Sequence, residues 1–263
     1  MKKILLVGKN SFIGSELFFN LPSDMIVDRI PHSSLDAVLN FKYDIIINFA
    51  IHPLYKTSSY LEENDIDIKI AKSFPDSHQI MISSRKVYGS SDDLLTYSED
   101  SPYNPTDCYG WNKMTTEIEI ARLKDNFTIL RGSNIFGFEY QRKSYMGFLM
   151  NQLKDTGNIK IDVSPFTTKD FISVQDASKL INLVVEKGIK GTYNLSSGIG
   201  EVVGYTAEYL IRGYGRGDLI SKSKERKDQF ILNNEKLLNA LDYNAEFNHE
   251  EAIEKLGRQL CKI

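Results

Sequence analysis

The chain alternates short, uninterrupted apolar runs with segments whose apolar positions recur at helical spacing. The runs are Ile4-Leu5-Leu6-Val7, Met25-Ile26-Val27, Ile45-Ile46-Ile47, Ile80-Met81-Ile82 and Phe127-Thr128-Ile129-Leu130. A run that is apolar at every position suits a strand covered on both faces, whereas a half-exposed strand would alternate. Between the runs, helices are predicted over residues 12–21, 34–40, 58–73 and 110–125. Alternation of this kind predicts an α/β fold built on a doubly wound parallel sheet with right-handed crossovers. After Arg131 the pattern loosens: helices are expected over 144–154 and 174–187, short strands at 159–163 and 192–195, and a last helix from about Glu250. Residues 1–131 read as the main core. Residues 132–263 read as remaining sheet elements interleaved with a smaller lobe, the whole forming one unit.

Composition removes alternatives. With 41% hydrophobic and 25% charged residues, 17 glycines and 7 prolines, the chain has the make-up of a globular protein with a sizeable core. A net charge of -3 and the lack of a long basic block give no reason to expect nucleic acid or a membrane surface as partner. The opening Met1-Lys2-Lys3 and the Ile4–Val7 run are too short for a secretion signal or a membrane span, so a cytoplasmic protein is expected. Cys108 and Cys261 lack metal-ligand spacing, which predicts free thiols in a reducing compartment and no metal site.

Three segments carry candidate chemistry. The first run enters Gly8-Lys9-Asn10-Ser11-Phe12-Ile13-Gly14 and then a helix. Gly8 permits a tight turn, the helix start offers free N–H groups to a pyrophosphate, and Gly14 permits close helix–sheet packing. Asp28, 20 residues past Gly8, stands where a carboxylate accepts hydrogen bonds from adenosine ribose hydroxyls, while Arg29 and Lys9 would suit a 2′-phosphate. Any tight turn uses glycine, so it is the combination that points to a dinucleotide. Tyr109 and Lys113 lie four apart on a predicted helix and share one face. A cation there favours phenolate and tunes the tyrosine for proton transfer. Of the 14 tyrosines, only Tyr109 has a lysine at that spacing. Ser83 and Ser84 follow directly on the Ile80–Ile82 run, at the strand end where open α/β sheets bind ligands, although serines there also cap turns.

In this order, strand, Ser84, then Tyr109-x-x-x-Lys113, the chain resembles the extended short-chain dehydrogenase/reductases, the NAD-dependent epimerase/dehydratase family. Further pieces are similar: Asn48-Phe49-Ala50-Ile51-His52 at a strand end, and Glu99-Asp100-Ser101-Pro102 before the Tyr109 helix. Leu130-Arg131-Gly132-Ser133-Asn134, Lys169-Asp170-Phe171-Ile172 and Gly191-Thr192-Tyr193-Asn194 continue the series. Ser11 departs from the family's middle glycine, and its small hydroxyl is expected to donate to the phosphates. The resemblance implies a Rossmann sheet, a dinucleotide-binding core mainly in 1–131 and a substrate lobe interleaved in 132–263. It implies NAD or NADP held by Gly8, Asn10, Ser11, Phe12, Ile13, Gly14, Asp28, Arg29, Asn48, Phe49, Ala50 and Lys113, with Asp28 tipping the choice to NAD. Ser84, Tyr109 and Lys113 are the implied catalytic residues. Asn134 and Arg226 join Ser84 and Tyr109 as implied substrate contacts.

The implied substrate is a nucleotide sugar. The family's 4,6-dehydratases place Asp-Glu after the catalytic residue, where this chain has Arg85-Lys86, which argues against dehydration. The Gly-Lys loop and compact C-terminal lobe look more like dTDP-4-dehydrorhamnose-reductase-type enzymes. Reduction of a 4-keto-6-deoxyhexose is therefore expected, with 4-epimerisation as the alternative. A catalytically inert sensor or scaffold would be expected to lose Ser84, Tyr109 or Lys113, and all three are present. A dehydrogenase for a hydrophobic alcohol would need an apolar pocket, which the polar late segments disfavour. Relatives often pair through the Tyr/Lys helix, so a homodimer is an assembly the resemblance allows.

Overall fold

The computed structural model describes residues 1–263. Thirteen strands form, in chain order: β1 (Lys3–Val7), β2 (Ile26–Ile30), β3 (Ile45–Asn48), β4 (His78–Ser84), β5 (Leu95–Tyr97), β6 (Phe127–Gly132), β7 (Asn134–Phe136), β8 (Asn158–Ile161), β9 (Thr168–Ser173), β10 (Gly191–Leu195), β11 (Gly200–Val202), β12 (Asp218–Ser221) and β13 (Phe230–Leu232). The helices are α1 (Phe12–Asn20), α2 (Ile66–Ser73), α3 (Cys108–Leu123), α4 (Tyr145–Thr156), α5 (Val174–Lys187), α6 (Val203–Tyr214), α7 (Glu235–Ala240) and α8 (His249–Cys261).

The uniformly apolar runs become the main sheet, in the order β10-β6-β4-β3-β1-β2 with every pairing parallel. Alternate residues of each run serve opposite faces. Ile4, Leu6, Ile45 and Ile47 pack with α1 and α5, whereas Leu5, Val7 and Ile46 pack with Ile70 and Phe74 on the other side. Full burial of each such side chain stabilises the fold by ~1.5–3 kcal/mol, so covering both faces commits these segments to the sheet interior. The chain leaves β1 for β2 on one side and returns to β3 on the other. The strand order therefore reverses between β1 and β3, which opens a crevice at their carboxyl ends.

A second body gathers around a separate core of Phe136, Leu149, Phe171, Leu210, Ile253 and their neighbours. Its sheet, β11-β9-β13-β5, recruits β5 from the first half of the chain, and β7 pairs with β9. No helix is long and apolar enough to cross a membrane.

Some local expectations shift. Residues 32–38 form a 3-10 helix instead of an α-helix. The helix expected over 58–73 starts only at Ile66, where the Asp65 carboxylate caps the Asp67 and Ile68 N–H groups. Helix α6 had no counterpart in the sequence pattern.

Candidate active site

The glycine turn is closed by its own backbone. Gly8 has φ +101°, which favours glycine, and a Cβ there would lie 3.0 Å from the Ala50 nitrogen. The Gly8 and Lys9 N–H groups both donate to Ile30 O, at 2.8 and 3.0 Å. At Gly14 a Cβ would sit 2.8 Å from the Phe49 ring, so this glycine lets α1 approach the β3 end. Asn48 is buried, and its Oδ1 accepts from Ala50 N at 2.9 Å, fixing that strand end beside the turn. Ser11 is the N-cap of α1, accepting from Gly14 N at 3.3 Å. The first-turn N–H groups of Phe12 and Ile13 have no acceptor within the chain. Two free donors at a helix start, approached through glycines, fit the pyrophosphate of a dinucleotide. The Ser11 hydroxyl hydrogen is not used by its cap, so it too remains available to donate.

Across the crevice, β4 ends at Ser84. Its Oγ accepts from Lys86 N at 3.2 Å and caps the 3-10 turn Arg85–Tyr88. The capping and catalytic readings of Ser84 are thus compatible: the oxygen accepts from the backbone and the hydroxyl hydrogen stays free. Asp107 caps α3 by accepting from Gly110 N at 2.8 Å, and it pairs with Lys86 at 3.4 Å. Gly110 lets α3 press on the turn, since a Cβ there would meet Lys86 O at 2.5 Å. The result is one cavity of about 200 Å³. Ser11 and Ile13 line it from the glycine turn, Asn48 to Ile51 from the β3 end, and Ser84, Tyr109 and Lys113 from the far wall. No carboxylate lines it.

Lys113 is fully buried, donating from Nζ to Ile82 O at 2.9 Å and lying 3.6 Å from Asp67 Oδ2. Burial alone would lower its pKa, but Asp67, Tyr109, Asp65 and Glu117 together outweigh this and shift it upward. The ammonium therefore keeps its charge beside the Tyr109 phenol. Burial pushes Asp67 up to about 6, with Lys113 opposing the rise and Asp65 adding to it. Tyr55 packs its ring edge-on to Tyr109 at 6.4 Å and holds the phenol against the cavity wall.

The sequence pattern of the NAD dependent epimerase/dehydratase family matches residues 25–196, well over half of the chain. The chain belongs to this family. The matched span starts after the glycine turn. Among solved structures, the UDP-N-acetylglucosamine 4-epimerase of Methanobrevibacter ruminantium M1, in complex with UDP-N-acetylmuramic acid, superposes with a TM-score of 0.83 at 18% identity. That match covers 98% of this chain and 97% of the epimerase. The UDP-glucuronic acid 4-epimerase of Bacillus cereus, in complex with NAD, gives 0.79 at 21% identity over 98% and 99%. RMD from Pseudomonas aeruginosa, complexed with NADPH, gives 0.77 at 16% over the full length of both chains. At these identities the likeness establishes the shared Rossmann-type fold.

Within this member of the epimerase/dehydratase family, Ser11, Ile13, Asn48, Phe49, Ala50, Ser84, Tyr109 and Lys113 line one cavity. Gly8, Phe12 and Gly14 build its turn. Five other residues singled out in the sequence do not line it, the first being Asn10, within the glycine turn. Asp28 sits in mid-strand, with its carboxylate accepting from Tyr43 OH at 2.9 Å and 3.3 Å from Lys3 Nζ. Arg29 reaches the outer side of the glycine turn. Asn134 begins β7 between the cavity-lining residues Ser133 and Ile135. Arg226 lines a separate depression with Phe166, Lys222 and Lys224. Asp228, near Arg226 in sequence, is taken up by Arg85, Lys169 and Ser90. The sequence reading missed Asp67 and Tyr55, the two residues that hold Lys113 and Tyr109.

Proposed function

We propose that this chain is an NAD(P)-dependent oxidoreductase of a nucleotide-activated sugar, reducing a 4-keto-6-deoxyhexose with Tyr109 as proton donor. The observation that carries the reading is the single cavity shared by the glycine turn, Ser84, Tyr109 and Lys113. Gly8 to Gly14, Asn48 to Ala50 and Lys113 are the residues that would hold the dinucleotide. When bound, it supplies the hydride. Ser84 donates its free hydroxyl hydrogen to the substrate carbonyl oxygen, and Tyr109 delivers a proton to the same oxygen. The buried Lys113 ammonium stabilises the phenolate that Tyr109 becomes. Residues 132–263 complete the sheet and form the lobe for the sugar nucleotide, in which Phe166, Lys222, Lys224 and Arg226 offer a cationic depression suited to a diphosphate.

Elimination of water would call for an acid and a base beside Ser84. The cavity wall has no carboxylate, Arg85 is bound to Asp228, and Lys86 pairs with Asp107. The second reading is 4-epimerisation, favoured by the likeness of the fold to 4-epimerases. The test is to incubate the protein with NADPH or NADH and a panel of 4-keto nucleotide sugars, and separately with 4-hydroxy nucleotide sugars and NAD. Net consumption of reduced nicotinamide with a 4-keto sugar is expected. Interconversion of 4-hydroxy sugars without net consumption would replace the reductase reading by the epimerase one, and inertness in every arm would overturn both.

A further inference from the structure

We propose that Asp67 is a positioning residue: acting through Lys113, it keeps Tyr109 in the phenol form that a proton donor needs, and so carries ketone reduction to higher pH. This rests on the reading of Tyr109 as the proton donor.

Asp67 is the second residue of α2, and its neighbour Asp65 does the structural work at that helix start. The Asp65 carboxylate caps the Asp67 and Ile68 N–H groups and accepts from Thr116 Oγ1 at 2.5 Å and Tyr60 OH at 3.1 Å. The Asp67 carboxylate caps no helix N–H. Asn48 and Gln79 flank it, and its Oδ2 lies 3.6 Å from Lys113 Nζ. Both members of this pair are buried, with side chains 5% and 2% exposed, and Asp67 is the one ion-pair partner of Lys113. A buried acid costs stability, and this one does little for the local fold in return. An acid of that kind beside a reactive pair points to function.

The other charged groups on the elements around Tyr109 are mostly committed elsewhere. Glu117 holds Arg131, Lys86 pairs with Asp107, Arg85 with Asp228, and the Tyr55 hydroxyl bonds Thr116. Lys56 is exposed, with Nζ 5.9 Å from the Tyr109 ring, and His52 heads the same short segment. The field at the phenol is therefore set mainly by Lys113 and its partner. A lone ammonium favours phenolate. Paired with Asp67 it has no net charge, so ionising Tyr109 would put an uncompensated negative charge in the core. Burial pushes the Asp67 carboxyl up to about 6, which leaves it ionised through the neutral and alkaline range where phenols titrate. Asp65 acts on Lys113 in the same sense. In ketone reduction the carbonyl carbon gains a hydride and its oxygen takes the phenol proton, leaving Tyr109 as phenolate to be reprotonated from water. A site that resists ionisation of Tyr109 keeps more of the enzyme competent as pH rises.

The test is an alkaline titration of tyrosinate absorbance in the full chain, with the Tyr109 signal isolated by subtracting the matching Tyr109→Phe titration. The pH profile of kcat/KM for a 4-keto nucleotide sugar and NADPH is measured beside it. In Asp67→Asn, the Tyr109 absorbance step and the alkaline fall of kcat/KM should both move to lower pH by about one unit, a roughly tenfold gain in phenolate at fixed pH. Asp67→Glu, which keeps the charge, should hold both close to their unmodified positions. Asp67→Asn leaves a buried ammonium unpaired and loses stability, so the double variant Asp67→Asn/Lys113→Met, which removes both charges, is titrated as well. Its absorbance step should stay within about one unit of the unmodified chain, because the pair it removes is neutral. A purely structural role for Asp67 would lower the urea midpoint and leave both pH limbs in place. Limbs unmoved in Asp67→Asn, or a step raised by more than about one unit in the double variant, would overturn the inference. The absorbance arm needs no substrate: a displaced step in a chain inert toward every 4-keto sugar would sink the reductase reading and uphold the hold of Asp67 on Tyr109.

Discussion

Replacing Gly110 by alanine perturbs the catalytic arrangement while leaving every proposed functional group in place. A Cβ at 110 would lie 2.5 Å from the Lys86 carbonyl oxygen and 3.0 Å from Pro105 Cβ, where ordinary contact begins near 3.4 Å. Backbone on one side and a proline on the other cannot yield as a flexible side chain would. Helix α3 and the turn after Ser84 must therefore separate by about 0.9 Å to restore ordinary contact with the carbonyl. Tyr109 rides on α3 and Ser84 on the strand feeding the turn, so the gap opens between their two hydroxyls. A misplacement of ~1 Å costs on the order of 10²-fold in rate. Overpacking costs ~1–3 kcal/mol, against the ~0.5–1 kcal/mol that Gly→Ala gains at an unhindered helical site. The expected outcome is a kcat lower by roughly 30- to 100-fold and a stability lower by about 1–2 kcal/mol. Dinucleotide affinity should hold within about threefold, because the glycine turn forms the other wall of the cavity. Steady-state oxidation of reduced nicotinamide, urea denaturation and calorimetric binding on one preparation would read all three. A Gly110→Ala variant with kcat within about twofold of the unmodified enzyme would refute the claim that this contact aligns Tyr109 with Ser84.

Two further predictions concern charge in the core. Asp67→Asn removes the carboxylate beside the fully buried Lys113 ammonium, a loss that costs about 3–5 kcal/mol for a buried pair, so the urea midpoint should fall markedly. An unchanged or higher midpoint would show that Lys113 does not depend on this partner. His78, hydrogen-bonded to Thr128, has its pKa lowered to about 4 by burial first and then by Lys190, Lys124 and Lys2. The unfolded chain takes up this proton at roughly pH 6.5, before the native one does. The stability that neutral His78 contributes is therefore complete above about pH 6.5 and is lost as pH falls toward 4, by on the order of 2 kcal/mol once partial solvent access is allowed for. The decline in urea midpoint over that window should flatten in His78→Asn, and an identical decline in both proteins would sink the assignment.

How much of this was legible in the sequence differs by element. The inner strands of the main sheet announced themselves, because burial on both faces forces uninterrupted apolar runs such as Ile45–Ile47, whereas the edge strands β2 and β10 carry polar residues. Tyr109 and Lys113 were legible for the same local reason: one helical turn fixes their relation whatever surrounds it. For Asp28, sequence spacing gives distance from the glycine turn but neither the face nor the direction the side chain takes, and in the structure its carboxylate is held by Tyr43 and Lys3. Helix α6 lacked a start signal, since Val202 makes no side-chain cap and Gly204 and Thr206 are buried within its first turns. The pairing of β13 with β5 joins Leu95 to Phe230, far apart in the chain, so nothing local could reveal it. Asp67 was invisible as a partner for Lys113 for the same reason, because the contact exists only once α2 and α3 lie side by side.

The most direct test of the central claim is Tyr109→Phe, assayed for turnover of a 4-keto nucleotide sugar and, by calorimetry, for dinucleotide binding. Removing one oxygen atom from the cavity wall should reduce turnover by on the order of 10²–10⁴-fold, the worth of a positioned proton donor, with the dinucleotide affinity unchanged within about threefold. Turnover preserved in Tyr109→Phe would contradict the account, because no other group in the cavity would then need to be aligned by Lys113 and Ser84 for the chemistry to proceed.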